Sequence, residues 1–265
     1  MVEERHLLIR IMYPLMVCCV YFFLYLPIIL LAIFSFNHAQ YPVEWAGFSL
    51  RWYKALWHNP EVLEAAKNSF IVGVASTALS VVFGTAFVFA SKWWRYAGWY
   101  NIFYANILLP DIVLAIGILS FFTFCAIPVG YVSLISGHTL IGLGFVVPIL
   151  RARFVELDPI LTEASLDLGA TYLQTFAKVI LPLMKPALVA SALLAFTLSL
   201  DDFLIAFFCS GPSVQTLSVY VYSKARTGID PSINALSAIF LMVSSVLVLL
   251  LCFLKVAEQV ISHEQ

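Results

Sequence analysis

Residues 151–186 read RARFVELDPILTEASLDLGATYLQTFAKVILPLMKP, and the fold is decided here. Asp158 before Pro159 has the form of a helix N-cap followed by a proline at the first helical position, where the missing N–H breaks no bond. Ile160, Leu161, Ala164, Leu166 and Leu168, interleaved with Glu163 and Asp167, carry a short helix onward until Gly169 stops it. Thr171 with Gln174 three residues later is the capping box of a second helix. Leu173, Phe176, Ala177 and Ile180 recur along that helix at 3–4 spacing, and it ends towards Pro182. The local pattern predicts helix, glycine turn, helix. Such a hairpin either fills a surface or docks a partner.

On both sides of it the chain is apolar. Of 265 residues, 62% are hydrophobic and 11% charged, with a mean hydropathy of +0.97. A water-soluble fold of this length has no core large enough to hide that much apolar side chain, so lipid is the main solvent. Lys and Arg number 14 against 15 Asp and Glu. That balance gives no basic surface for nucleic acid and no acidic tail.

A bilayer core of about 30 Å takes roughly 20 apolar residues in a helix. Apolar runs predict six such spans, at 12–36, 68–91, 99–126, 131–150, 186–209 and 233–254. The third and fourth are divided at Pro128-Val129-Gly130. Arg5 and Arg10 ahead of the first run resemble a signal-peptide n-region, but the run is too long and no A-x-A site follows, so it reads as a permanent helix. Continuous rather than alternating apolar runs exclude a β-barrel.

Orientation follows from basic residues. With the N-terminus inside, Arg5, Arg10, Lys92, Arg95, Arg151, Arg153, Lys178, Lys185 and Lys255 are cytoplasmic, while Arg51, Lys54, Lys67, Lys224 and Arg226 are outside. The larger set belongs in the cytoplasm, which predicts both termini there and the hairpin on the cytoplasmic face.

Glu163-Ala164-Ser165, then Gly169-Ala170, then Phe176, Ile180 and Pro182 resemble the EAA loop of ABC importer permeases, with Ser165 where that family has a second alanine. Three further stretches resemble the second permease subunit of spermidine/putrescine importers. These are Pro110-Asp111-Ile112-Val113, Phe196 through Asp201-Asp202, and Gly211-Pro212-Ser213 leading to Pro231 and Asn234-Ala235-Leu236. The opening Tyr25-Leu26-Pro27-Ile28 to Asn37, and Trp52-Tyr53, fit the same group. The resemblance implies an all-α permease of the type I importer (MetI-like) fold, one transmembrane domain over 1–265 with the coupling loop at 151–185. It implies an inner-membrane importer subunit of a bacterium that moves polyamines by alternating access and is not itself an enzyme. It further implies two ATPase subunits, a homologous permease forming a heterodimer, and an extracytoplasmic polyamine-binding protein. Glu163, Ala164, Ser165, Asp167, Gly169 and Ala170 would then dock the ATPase, and Gly169 would permit the turn. ATP belongs to the partner. This chain has no GxxxxGK[ST] sequence and no cofactor or metal motif of its own.

Asp111, Asp201 and Asp202 lie inside apolar runs, where an ionised carboxylate costs a few kcal/mol, so each should face a pore, a partner or water. Counted from the inner ends of their spans, Asp201 lies about 22 Å deep and Asp111 about 18 Å. Carboxylates at similar depth on two helices could form an acidic collar for ammonium groups, with Phe196, Phe203, Phe207 and Phe208 as walls for a methylene stem. Asp201 and Asp202 are about 100° apart around a helix, so one of them could instead cap a helix break or pair with a neighbouring subunit. Pro110-Asp111 could equally mark an interruption.

His138, beside Ser136, reads as an interhelical hydrogen bond rather than a proton relay. The five cysteines, Cys18, Cys19, Cys125, Cys209 and Cys252, read as small buried hydrophobes. Trp93, Trp94 and Trp99 form one interfacial belt. Trp45, Trp52 and Trp57 form another or help dock a binding protein. The partly amphipathic segment 214–226 has no assigned role. Three alternatives stay open: an ABC permease for another small solute, a proton-coupled carrier using Asp111 and Asp201, and a membrane enzyme built on Asp201-Asp202.

Overall fold

A computed structural model describes residues 2–39, 44–91, 97–212, 214–227 and 231–263. Lys92, Trp93, Trp94, Arg95 and Ser213 lie outside the described residues. Among those described there is no strand, and Asn37 with Phe48 makes an isolated bridge. The residues divide into two compact units, Met1–Asn59 with Val221–Met242, and Pro60–Tyr220 with Val243–Gln265.

In the first unit α1 (Val2–Phe34) starts earlier than the apolar run and carries Pro14 and Pro27 inside it. Its portion Met12–Phe34 is long and apolar enough to cross a membrane. Asn37 organises the loop that follows. Its Nδ2 donates to Glu44 O at 2.6 Å, its Oδ1 accepts from Ala46 N at 2.9 Å, and its carbonyl accepts from Trp52 Nε1 at 2.8 Å. Tyr53 of α2 (Arg51–Trp57) shares a 2.7 Å hydrogen bond with Ser35, and Phe36 stacks on Phe48. Trp52 and Tyr53 are thus built into the loop's own structure, whereas Trp45 and Trp57 are exposed.

The second unit is built on α3 (Pro60–Ala90), α6 (Tyr131–Glu156) and α10 (Lys185–Asp201). Small residues let α3 and α6 approach closely, as lipid-embedded helices require when no hydrophobic drive separates them from solvent. A Cβ at Gly142 would collide with Ser80 Oγ, and Ser80 Oγ itself donates to Thr139 O at 3.1 Å. Val88, Val146, Val147, Leu150, Ile180 and Met184 fill one core, and Val72, Leu134, Ile205 and Cys209 another.

The 99–126 stretch, expected as one helix, is two. α4 (Asn101–Leu108) and α5 (Asp111–Phe124) belong to arms bent by 107° across Leu109 and Pro110, both extended. Proline removes one N–H and pushes the residue before it out of the helical region, which fits the break. The divide at Pro128-Val129-Gly130 stands as expected, since Ala126 has φ +55° and α6 starts at Tyr131.

The 186–209 stretch is also interrupted. α10 ends at Asp201, Asp202 is extended, and α11 (Leu204–Cys209) follows. No glycine or proline marks this break. Instead the Asp202 carboxylate accepts the Ala206 N–H at 2.9 Å, an alternative to the helical bond.

The last long element, α13 (Pro231–His263), follows α12 (Leu217–Thr227). Four helices among the described residues are long and apolar enough to span a membrane, and six spans result when each of two bent pairs counts as one. Of the cysteines only Cys209 is buried. Cys18, Cys19 and Cys252 are exposed on apolar helix faces and Cys125 in the turn after α5, because those apolar faces are the surface of this chain.

Candidate coupling hairpin and carboxylate site

The hairpin forms as its sequence predicts. Asp158 Oδ1 accepts the Ile160 N–H at 2.9 Å and starts α7 (Pro159–Asp167). Gly169 has φ +85°, a conformation that costs side-chain-bearing residues about 1–2 kcal/mol. It lets the Ala170 N–H reach back to Ser165 O at 3.1 Å. Thr171 N donates to Gln174 Oε1 at 2.8 Å and Gln174 N to Thr171 Oγ1 at 3.3 Å, which caps α8 (Tyr172–Thr175).

The second arm is less regular than its 3–4 spacing suggests. A π-helical turn at Phe176–Ile180 joins α8 to α9 (Leu181–Leu183), and the chain then bends by 70° into α10. The wider turn seats Phe176 against Phe89, with ring centroids 4.4 Å apart, and sends Ile180 into the core.

Glu163, Ala164 and Asp167 project outward with Ile160 and Leu168, the last 89% exposed. Ser165 faces the other arm, where its Oγ lies 3.0 Å from Oγ1 of the buried Thr175. The outward face is therefore acidic and apolar together. A cavity of about 200 Å³ separates α7 from the end of α6 and the π turn, lined by Phe154, Leu157, Leu161, Thr162, Val179 and Leu183. Arg151, at the hairpin's start, stacks its guanidinium 3.8 Å over the Tyr100 ring, and Tyr100 hydrogen-bonds Ser91.

The two broken spans meet in the second unit, where α11 packs on α5 and Cys209 Sγ points at Ala115 O, 3.9 Å away. Asp111, the first residue of α5, is exposed and within electrostatic reach of Asp202. Asp201 and Asp202 diverge. Asp201 is exposed, and its Oδ1 accepts from Ser244 Oγ of α13 at 3.1 Å. Asp202 is turned inward, its side chain 8% exposed, and its main-chain carbonyl accepts from Ser218 Oγ at 2.8 Å. Phe203 occupies the break, its ring 5.4 Å from that of Phe207. Phe196, by contrast, lies beside Gly73 and Phe70.

His138 makes the interhelical bond expected of it, though the partner is Ser199 of α10, whose Oγ is 2.7 Å from Nδ1. Its other nitrogen, Nε2, has no hydrogen-bond partner and lies 3.6 Å from Asp202 Oδ2. An unpaired buried donor costs about 1–3 kcal/mol. Sequence reading missed this link to Asp202, because 64 positions separate the two residues and no motif joins them. It also missed Asn106 and Phe145, which line a cleft of about 40 Å³ beside Asp111. No group of three or more potential metal ligands occurs among the described residues.

The chain belongs to the family of binding-protein-dependent transport system inner membrane components, whose model matches residues 76–261. It is 35% identical over 249 residues to the spermidine/putrescine transport system permease protein PotC of Escherichia coli K12, covering 93% of this chain and 92% of that one. To the putrescine transport system permease protein PotI of the same organism it is 34% identical, covering 83% and 82%. Among solved structures, a bacterial ABC transporter involved in import of the acidic polysaccharide alginate superposes with a TM-score of 0.69 at 15% identity, over 94% of this chain and 96% of that one. An amino acid ABC transporter superposes at 0.55 and 15% identity, over 76% and 93%. At these identities the likeness is one of fold. The chain is a multi-pass inner-membrane permease of an ABC importer and not an enzyme.

Proposed function

We propose that this chain is the permease subunit through which an ATP-driven importer moves polyamines into the cytoplasm. The observation that carries the reading is the capped hairpin at 158–175 on a chain similar to PotC over 93% of its length. Its outward Glu163, Ala164 and Asp167 would meet the ATPase, while Ser165, Gly169 and Ala170 hold the turn in shape. ATP binding closes the ATPase pair, and the hairpin carries that motion into α10 through the bend after Leu183.

Substrate would pass the broken spans. Asp111, Asp201 and Phe203 supply carboxylates and an aromatic wall for an ammonium on a methylene stem, and Asp202 supports the break. The exposure of Asp111 and Asp201 on this chain fits a path completed by a second subunit. The assembly would hold two ATPase copies, a homologous permease and an extracytoplasmic binding protein. The 1–265 chain would act as one permease domain with both termini cytoplasmic, as its basic residues require.

Uptake of labelled spermidine and putrescine by cells whose only polyamine importer contains this chain and its cognate partners tests the reading. Uptake by wild type, lost in an assembled Asp201→Asn variant, is expected. Uptake of neither polyamine by wild type removes the substrate assignment.

A further inference from the structure

We propose that His138 is a positioning residue for the carboxylate site: it holds Asp202, and with it the helix break that sets where Asp201 points. The proposal rests on the reading of Asp201 as a substrate-path carboxylate.

The geometry is a chain of side chains across three helices. Ser76 Oγ of α3 lies 3.4 Å from Ser199 Oγ as a donor, Ser199 Oγ lies 2.7 Å from His138 Nδ1, and His138 Nε2 lies 3.6 Å from Asp202 Oδ2. Ser199 and Asp202 are three residues apart, so one imidazole from α6 reaches both. The Ser76 hydroxyl has Gly73 O at 3.2 Å as well as Ser199 Oγ within reach, so the carboxylate decides the tautomer. A bare Nε2 lone pair facing the carboxylate would be repelled, which favours the tautomer in which Ser199 donates to Nδ1. That tautomer puts the ring proton on Nε2, aimed at the Asp202 carboxylate. The His138 side chain is 1% exposed, so no water competes for that proton from outside.

Asp202 is consequently gripped from several directions. The Ala206 N–H binds its Oδ2 at 2.9 Å, Ser218 Oγ binds its carbonyl at 2.8 Å, and the imidazole faces the same carboxylate oxygen. These contacts make Asp202 the post on which α10 stops and α11 starts. Asp201 precedes it by one residue, and a residue's turn about the axis is about 100°. Fixing Asp202 inward therefore turns Asp201 outward, towards Ser244. At 3.6 Å the Nε2 contact is longer than a hydrogen bond, so the ring guides Asp202 without locking it.

The test reads the position of residue 201 directly. In the full importer complex, the five native cysteines of this chain are replaced and Asp201→Cys is introduced. Maleimide labelling rates are then compared with His138 intact, in H138Q, in H138N and in S199A, each after co-purification with the ATPase subunits. Glutamine places an amide N–H where Nε2 stands and keeps the wild-type rate. Asparagine reaches only the Ser199 side and gives up the 3.6 Å ring contact, so the rate changes about twofold or more, the low end of what a hydrogen bond contributes. S199A frees the ring, changes the rate in the same direction, and decides the matter where H138N does not assemble. Equal rates throughout, or an H138Q rate as altered as that of H138N or S199A, overturn the proposal. No polyamine enters this measurement. Normal uptake by an assembled Asp201→Asn variant would instead sink the substrate-path reading and leave the His138 result standing.

Discussion

Ser165 Oγ lies 3.0 Å from Thr175 Oγ1, so a hydroxyl pair bonds the first arm of the 158–183 hairpin to the second. Thr175 is buried and Ser165 half-buried, and the bond spans the Gly169 turn. The first arm is thereby tied to the arm that continues into α10.

A double-mutant cycle measures that tie. S165A and T175V each remove one hydroxyl, and their combination replaces the pair by apolar groups of similar shape. Non-additive losses are expected in the thermal stability of the purified complex, with a coupling of about 0.5–1.5 kcal/mol. Additive losses would mean that the hydroxyls do not interact.

Gly169 should tolerate asparagine better than valine. A β-branched residue at φ +85° pays the left-handed penalty of about 1–2 kcal/mol in full, whereas asparagine visits that region more readily. Co-purification of the ATPase should fall in G169V and largely survive in G169N. Equal recovery from both would show that turn geometry does not limit docking.

Glu163 and Asp167 project from α7, and charge reversal there should weaken docking without unfolding the permease. E163K with D167K should lose ATPase co-purification while membrane levels of the chain stay near wild type. Asp158, the N-cap, acts differently: D158A should cost about 1 kcal/mol of helix stability, and D158S should restore it. Membrane levels and ATPase recovery, measured side by side, separate the two effects.

α6 passes close to α3 at Gly142, since a Cβ there collides with Ser80 Oγ. G142L should reduce the amount of folded chain in the membrane, and S80A should partly rescue G142A by clearing the clashing hydroxyl. Normal levels of G142L would contradict the close approach.

The hairpin was legible residue by residue because its signals are local. Asp158, Gly169 and the Thr171–Gln174 box each bond within three residues of themselves, so their spacing carries the geometry. Span existence was legible for the same reason, since apolar length is counted along the chain. The interruptions were less so. Pro110 signals one of them, yet a proline within a span often only kinks it, as Pro14, Pro27 and Pro148 lie inside continuous helices. The break after Asp201 has no glycine or proline, and beside the nearby Ala206 N–H it depends on contacts to Ser218 and His138 that only folding assembles. The opposite directions of Asp201 and Asp202 follow from that break, beyond what helical periodicity alone could settle.

The central claim, that ATP hydrolysed by a partner drives polyamine through this chain, is tested most directly in proteoliposomes. The complete complex is reconstituted with the binding protein on one side and ATP on the other, and labelled spermidine accumulation is followed with and without an imposed proton gradient. Accumulation that requires ATP and ignores the gradient is the predicted result. Accumulation driven by the gradient without ATP would contradict it and make the chain a proton-coupled carrier.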